Sequence, residues 1–329
     1  MSEQLEFRKA IRDALDEEIE RDPSVVFFGE DVALAGGVFM TTPGLHEKHG
    51  PERVFDTPIS ELAMAGAAFG AAVTGLRPVI EIMFGDFMAL PMDSLVNQAA
   101  KFWYVSNEQA SVPLVVRSAV GAGGRFGAMH SQIHGTWYQG IPGIKVVGPS
   151  NPADAKGLLK SAIRDDNPVI FLEHKRLYST KGPQPTEETV PLGKAAVVRE
   201  GADITVVSAL RGVRDALEAA DELAEQGIDV EVVDIRSLRP LDHETVLESV
   251  AKTNRVMLLE EGPRVGGWAA NLLGIIAAEG LEELDDAWIL TTGDTPAPYS
   301  PTLEDAWLPA GAEVAAAVCE RLGVAAAPS

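Results

Sequence analysis

The stretch that decides the fold is "NPADAKGLLKSAIRDDNPVIFLEH", residues 151–174. Asn151 followed by Pro152 is typical of a helix start, because asparagine caps free backbone amides and proline is favoured at the first helical position. Asn167-Pro168 ends that helix, and the apolar run after it predicts a buried strand. A helix that leads directly into an apolar strand indicates a parallel sheet covered by helices on both faces.

The same alternation extends in both directions from this stretch. Before it, a first amphipathic helix ends at Asp22-Pro23, and further elements follow: strands at 24–31, 77–84, 112–119 and 144–149, and helices at 60–75 and 92–105. After it come strands at 204–209, 229–235, 255–261 and 288–290, and helices at 213–227, 242–253, 269–280 and 313–322. The pattern predicts two α/β domains, each built on a parallel sheet.

A segment rich in proline, glycine and polar residues separates the two alternating regions. It reads "KRLYSTKGPQPTEETVP" from Lys175, which is typical of an interdomain linker. We therefore predict a first domain at 1–175, a linker at 176–194 and a second domain at 195–329.

The charge balance excludes several classes of protein. The chain has 27 basic and 49 acidic residues, a formal charge of −22, so it would repel nucleic acid and anionic membranes. The excess of acidic residues either attracts basic protein partners or only maintains solubility. Cys319 is the only cysteine, and neither an apolar signal core nor a membrane-length apolar run occurs. These features predict a soluble, cytoplasmic protein.

A glycine-rich loop, "GAGGRFG" at 121–127, follows a predicted strand but does not match a dinucleotide-binding fingerprint. Its sixth position is Phe126 instead of glycine, and the residues beyond lack a helical period. We interpret the loop as one that approaches a ligand closely.

Two histidines, His130 and His134, follow this loop. Their spacing occurs in zinc sites, but the usual internal glutamate is missing and the sequence offers no clear third ligand. For His134 a hydrogen-bonded or partly exposed loop position is the simpler reading. His130 lies just beyond the end of a strand, where α/β proteins tend to bind ligands.

At this point the ordered motifs resemble a known family. They include "GEDV", "DTPISE", "GLRPVIEI", "NQAAK", "VPLVVR", "HSQ", "PGIKVV" and "NPVIFLEH", followed by "EVVDIRSLRP" and "APYSPTLE". The chain is similar, over nearly its whole length, to the β subunit of the thiamine-diphosphate-dependent decarboxylating component of 2-oxo acid dehydrogenase complexes. That family includes pyruvate, branched-chain 2-oxo acid and acetoin enzymes.

The resemblance implies a pyrimidine-binding domain of the thiamine enzymes followed by a transketolase C-terminal domain. It also implies a tetramer of two α and two β chains with the cofactor between unlike chains. In such enzymes the α chain holds magnesium and the diphosphate through a G-D-G motif. Here Gly85-Asp86 and Gly293-Asp294 lack the following glycine. The chain alone is therefore not expected to hold magnesium diphosphate.

The resemblance assigns roles to individual residues. Glu61 of "DTPISE" would hydrogen-bond the aminopyrimidine ring and exchange a proton with it. The bare sequence alone instead favours an ordinary first-turn helix residue. Met83 and Phe87 would pack on the pyrimidine, although core packing is the ordinary reading for both. His130 of "HSQ" would act as the active-site histidine. The residues after "HSQ" depart from the usual family pattern, which leaves the substrate open.

A monovalent cation, typically potassium, is also implied by the resemblance. Its ligands would come from five residues: Leu114, Ala162, Ile163, Asp165 and Asn167. Asp165 and Asn167 could equally form an ordinary helix-ending turn.

The predicted function is oxidative decarboxylation of a 2-oxo acid, pyruvate or branched-chain, with transfer of the acyl group to lipoamide. The chain would be active only with its α partner and would bind a lipoyl acyltransferase core through the C-terminal domain. Three alternatives stay open: an acetoin dehydrogenase β subunit, half of a split transketolase-like enzyme, and a non-catalytic scaffold subunit.

Overall fold

The computed structural model describes residues 4–324 and divides them into two compact units. The first unit comprises the described residues through Gly121 together with His130–Leu192. The second comprises Ala122–Met129 and the described residues from Gly193 onward. An eight-residue segment from the first half of the sequence therefore belongs structurally to the second unit.

The first unit contains strands and helices in alternation. Its strands are β1 (Leu5–Glu6), β2 (Val25–Gly29), β3 (Val54–Asp56), β4 (Arg77–Ile82), β5 (Val115–Val120), β6 (Lys145–Val147), β7 (Val169–His174) and β8 (Lys181–Gly182). Its α-helices are α1 (Phe7–Arg21), α2 (Leu45–His49), α3 (Glu61–Val73), α4 (Ala100–Val105), α5 (Gly135–Gln139) and α6 (Pro152–Arg164).

Six of these strands pair in parallel in the order β6-β7-β5-β4-β2-β3. Successive residues of a strand point to opposite faces of the sheet. Phe27 belongs to the core that α1 and α6 cover, whereas Val26 and Phe28 line an apolar groove with Met64 of α3. The six strands thus have helices against both faces, as the alternation predicts. The short strands β1 and β8 pair antiparallel.

The second unit repeats the architecture with different strands. They are β9 (Ala196–Arg199), β10 (Ile204–Ser208), β11 (Val230–Asp234), β12 (Ser237–Arg239), β13 (Arg255–Glu260) and β14 (Asp286–Thr291). Its α-helices are α7 (Arg211–Ala224), α8 (His243–Thr253), α9 (Trp268–Glu279), α10 (Pro301–Trp307) and α11 (Gly311–Leu322). Five strands form a sheet in the order β14-β13-β10-β11-β9.

This second sheet is mixed, which differs from the wholly parallel sheet that we expected. Strand β9 runs antiparallel to β11 at the edge, with a register shift opposite Val232 and Val233. Its four residues, Ala196–Arg199, are half-buried or exposed. A half-exposed edge strand of this length lacks the apolar run that identifies the central strands.

Two further local differences concern helices. The predicted helix 92–105 is a π-helix over Asp93–Ala99 that continues into α4. The short helices α2, α5 and α10 have five to seven residues and were not predicted. Two turns or fewer do not establish a helical period in a sequence. No helix among residues 4–324 combines the length and apolar character needed to cross a bilayer.

A buried carboxyl in the second unit predicts a pH-dependent stability. Glu260 ends β13 and accepts the backbone N–H groups of Trp268 and Ala269 at the start of α9. Burial raises the pKa of Glu260 to about 7, and these two hydrogen bonds only partly oppose that rise. The pKa of such a carboxyl is higher in the folded than in the unfolded chain. Its contribution to the free energy of unfolding is therefore complete only at pH values below the unfolded pKa. That contribution is lost as pH rises toward 7.

We therefore expect Glu260→Gln to remove this pH dependence. Between pH 5 and pH 8, the free energy of unfolding of the wild type should fall by about 2.5 kcal/mol relative to that of the variant. Chemical denaturation at several pH values measures it, with the exposed Glu282→Gln as control. A difference that is constant with pH would contradict the prediction.

Candidate active site

The carboxyl ends of the central strands of the first unit meet at one edge of its sheet. The register pairs Gly29 with Asp56 and with Glu81, and pairs Val120 with His174. The segments that follow these strands therefore emerge side by side. Open α/β sheets bind their ligands at this edge.

Glu61 is the first residue of α3, in the connection that leaves β3 at this edge. The residue is only 6% exposed. A second buried carboxyl, Glu30, directly follows β2. Burial raises the pKa of Glu30, and the negative charges of Glu61, Asp31 and Glu81 raise it further. The edge thus concentrates acidic groups that do not all ionise easily together.

An aromatic cluster lies on the segment that follows β4. The His130 ring packs edge-on against Phe84, with centroids 4.5 Å apart, and against Phe87, with centroids 5.4 Å apart. Lys175, which follows β7, donates to the His130 carbonyl, and its ammonium lies 5.6 Å from the Phe84 ring centroid. The structure thus brings Phe87 and His130 together, two of the residues that the sequence singled out. Met83 is half-buried in the same segment.

The backbone after β5 explains the glycine-rich loop. Gly121 has φ +89°, and a side chain there would overlap the His174 ring. Its amide donates to the carbonyl of Gln132, which ties the segment that carries His130 to the sheet edge. Only glycine satisfies both the backbone angle and the close approach.

The rest of that loop is held by carboxylates within the second unit. The Ala122 amide donates to Glu261 at 2.6 Å, and the amides of Gly123 and Arg125 donate to Glu304. The Arg125 guanidinium also contacts Glu304 at 2.6 Å and forks onto Asp305. Because Glu304 is fully buried, these contacts fix the loop firmly.

A buried ion cluster lies within the first sheet. Arg117 of β5 donates to both carboxylate oxygens of Glu173 at 2.7 and 2.9 Å, and to Glu81 at 2.8 Å. Tyr178 donates to Glu173 at 3.0 Å. Burial alone would lower the pKa of Arg117, but Glu173 and Glu81 outweigh it and raise that pKa. The guanidinium stays charged and holds both side chains in place, although burial raises the pKa of Glu81 against the opposing charge of Arg117.

Several buried polar atoms at the same edge have no hydrogen-bond partner among the described residues. They are Glu30 Oε1, Thr57 Oγ1, both Asp86 carboxylate oxygens, Ser131 Oγ and His134 Nδ1. Buried polar groups in native proteins are nearly always paired, so such a concentration marks a place where a ligand or another chain supplies partners.

Four of the five residues implied for a monovalent cation lie at or just after the end of α6. The Ile163 and Asp165 carbonyls accept from Arg77, and the Asp165 carboxylate contacts Lys145 and Asn167. The Leu114 carbonyl accepts the Val169 amide, and the Ala162 carbonyl accepts the Asp165 amide. A carbonyl oxygen has two lone pairs, so these oxygens retain capacity for a weakly held cation. Among residues 4–324, no three His, Cys, Asp or Glu side chains are grouped to hold a metal ion.

His134 lies inside the protein at the N-cap position of the short helix α5. It is 3% exposed, and its ring centroid lies 4.0 Å from that of Trp137. Burial lowers the pKa of His134, and the charge of Asp86 and a hydrogen bond to the Gly85 backbone oppose this only in part. The imidazole is therefore neutral at pH 7. His134 is therefore a buried residue, and not the partly exposed loop residue that was the other expectation.

Sequence reasoning did not single out Glu30, Asp86, Lys175 or Glu304 as site residues. Two of them had one available signal: Lys175 directly follows a predicted strand, and Glu30 lies at the end of one. Asp86 and Glu304 had no local signal in the sequence, because the burial of their carboxyl groups depends on segments far away in the chain.

Comparisons with known proteins agree with this architecture. Residues 3–181 match the family described as "Transketolase, pyrimidine binding domain", and residues 193–314 match "Transketolase, C-terminal domain". A solved structure described as a split gene transketolase, an inactive β4 tetramer, superposes with a TM-score of 0.81 at 25% identity. The match covers 97% of this chain and 99% of that one.

Curated relatives are similar over nearly the full length. The acetoin:2,6-dichlorophenolindophenol oxidoreductase subunit β of Cupriavidus necator is 45% identical, covering 96% of this chain and 97% of the relative. The pyruvate dehydrogenase E1 component subunit β of Rickettsia felis is 44% identical with the same coverage. The acetoin enzyme subunit β of Bacillus subtilis is 42% identical, covering 98% of both chains.

The two domains place the chain in the transketolase-like thiamine enzyme class. Within that class, the chain belongs to the family of β subunits of the 2-oxo acid dehydrogenase decarboxylating component, which includes the acetoin enzymes. The resemblance seen in the sequence and the predicted α/β class are both confirmed. The family is one of oxidoreductases that depend on thiamine diphosphate.

Proposed function

We propose that this chain forms an α2β2 enzyme with an α subunit, decarboxylates a 2-oxo acid and transfers the acyl group to lipoamide. The observation that carries this proposal is the group of unpaired buried polar atoms at the sheet edge where Glu61 and His130 lie. The cofactor and the α chain would supply the missing partners. The likeness to pyruvate dehydrogenase β subunits supports the same reading.

The residues present fit the pyrimidine half of thiamine diphosphate. That cofactor, when bound, supplies a nucleophilic carbon and an electron sink for decarboxylation. Glu61 would hold a proton at the ring nitrogen of the aminopyrimidine, in a position shielded from water. Phe87 and Met83 would pack on the ring and orient it. His130, steadied by Phe84 and Lys175, would hold or move a proton at the oxygen of the substrate.

No diphosphate-binding motif accompanies this edge in the sequence, so the magnesium and diphosphate site belongs to the α chain. Surface features near Glu61 support an unlike chain that covers this region. Ile59 and Leu62 are 81% and 53% exposed. Beside them is an apolar groove of about 410 Å³ that Phe28 and Phe55 help to line. Exposed apolar surface of this kind indicates a protein interface.

We also propose that potassium binds among Leu114, Ala162, Ile163, Asp165 and Asn167. Backbone carbonyl and side-chain oxygens suit a hard monovalent ion, which would compete with Lys145 for the Asp165 carboxylate. Replacing potassium by tetramethylammonium at equal ionic strength should lower the Tm of the complex by several degrees. Equal melting temperatures in the two salts would exclude a specific site.

Acetoin is the second candidate substrate, because two relatives that are 45% and 42% identical are acetoin enzyme β subunits. A split transketolase is less well supported, since the structure of that name shares only 25% identity. A lipoyl acyltransferase core that docks on the C-terminal domain, and a cytoplasmic location, remain part of the proposal.

The first experiment is to purify the tagged chain gently from its own cells, then measure native mass and bound thiamine diphosphate. Two heavier and two lighter chains with about two cofactors would support the shared site. A homodimer that binds the complete cofactor unaided would overturn the division of labour. Turnover with pyruvate, branched-chain 2-oxo acids and acetoin then distinguishes the substrates.

Replacing His130 separates the enzyme from the scaffold alternative. We expect His130→Asn to lower kcat of the assembled complex by about 10²- to 10⁴-fold, because a proton donor and acceptor is lost. The variant complex should keep its native mass and cofactor content. Unchanged turnover would favour the scaffold reading. His243→Asn, at a half-exposed histidine in the second unit, is the control.

A further inference from the structure

The turn that presents Phe87 is tightly fixed on one side. It forms a 3₁₀ turn over Gly85–Ala89 directly after β4. A side chain at Gly85 would come within 2.6 Å of Val120, so the backbone of the turn lies against the end of β5. The position of Phe87 relative to His130 therefore depends on what holds the other side of this turn.

Helix α5 contacts the other side of the turn, near its first residue and near its last. His134, at the N-cap position of the helix, has its buried ring beside the Gly85 backbone, whose oxygen opposes the lowering of the imidazole pKa by burial. Tyr138, one turn later, donates from its hydroxyl to the Met88 carbonyl at 2.5 Å. The two side chains are 3% and 0% exposed, so water does not compete for these contacts. Burial raises the pKa of Tyr138, which keeps the hydroxyl protonated as a donor.

We propose that His134 and Tyr138 are positioning residues that clamp the Gly85–Ala89 turn and thereby set Phe87 against His130. This inference rests on the proposed function, in which Phe87 packs on the pyrimidine of the cofactor. It also assigns a role to the departure from the usual family pattern after "HSQ". The histidine at 134 is a buried tether for the cofactor-facing turn.

The sharpest test is to remove each contact in the assembled α2β2 complex. Affinity for thiamine diphosphate with magnesium should fall about 10-fold in His134→Leu and in Tyr138→Phe, with a parallel fall in kcat. His134→Gln retains an N–H donor and should stay within about threefold of wild type. Thr136→Ala, on the same helix, is the matched control and should behave as wild type.

A second readout does not depend on cofactor or activity. Hydrogen exchange of the peptide that covers Gly85–Ala89 should speed up in cofactor-free His134→Leu and Tyr138→Phe complexes but not in His134→Gln. If melting temperatures fall while exchange in this peptide and cofactor affinity stay unchanged, the residues are only structural and the inference fails. If the wild-type complex binds no thiamine diphosphate, the proposed function fails instead.

Discussion

Glu61→Gln is expected to lower kcat of the assembled complex by about 10²- to 10⁴-fold. A glutamine of the same shape keeps a hydrogen-bonding group at the ring nitrogen but cannot exchange a proton with it. The side chain is 6% exposed at the start of α3, so water cannot easily take over the role. Steady-state turnover measures the loss. Hydrogen–deuterium exchange at the thiazolium carbon of the bound cofactor should slow in parallel.

The matched control is Glu47→Gln, which replaces an exposed glutamate in the same unit. It should change turnover less than twofold. Native mass and cofactor content of the Glu61 variant must stay close to wild type, because loss of assembly would also abolish turnover. A fully assembled, cofactor-loaded Glu61→Gln complex with normal turnover would remove Glu61 from the mechanism.

The largest expected effect on stability comes from Arg117→Met. This change leaves the carboxylates of Glu81 and Glu173 buried without their cation. Removing one partner of a buried ion pair typically costs about 3–5 kcal/mol, since the remaining charge is neither solvated nor paired. Urea unfolding of the chain measures the loss. Arg199→Met, which breaks an exposed pair with Asp221, should cost less than about 1 kcal/mol.

A triple variant separates charge from packing. Adding Glu81→Gln and Glu173→Gln to Arg117→Met removes the uncompensated charges and should recover much of the lost stability. If the triple variant is as unstable as the single one, the loss comes from packing of the Arg117 side chain and not from unpaired carboxylates.

Elements with strong periodicity could be predicted from the sequence. Helix α6 was recognisable from Asn151 and Pro152 at its start, and the structure shows the Asn151 side chain accepting the Asp154 amide. The central strands were recognisable because both of their faces are buried, which gives continuous apolar runs. Strand β9 was not, because its half-exposed residues resemble a loop.

The candidate site could be predicted only in part. The position of His130 after a strand pointed to the sheet edge, and the family resemblance supplied Glu61 and Phe87. Contacts between distant segments, such as His134 with Gly85 or Arg125 with Glu304, leave no local pattern. Burial of polar groups is a property of the assembled fold, which periodicity along the chain does not encode.

The membership of Ala122–Met129 in the second unit has a consequence for recombination between relatives. A chimaera joined at the linker near residue 180 would inherit these eight residues from one parent and their carboxylate partners from the other. Glu304 is fully buried, accepts hydrogen bonds from two backbone amides of this segment, and pairs with the Arg125 guanidinium. Exchangeable modules of this protein are therefore discontinuous in the gene, and a viable crossover must transfer the segment together with residues 193–324.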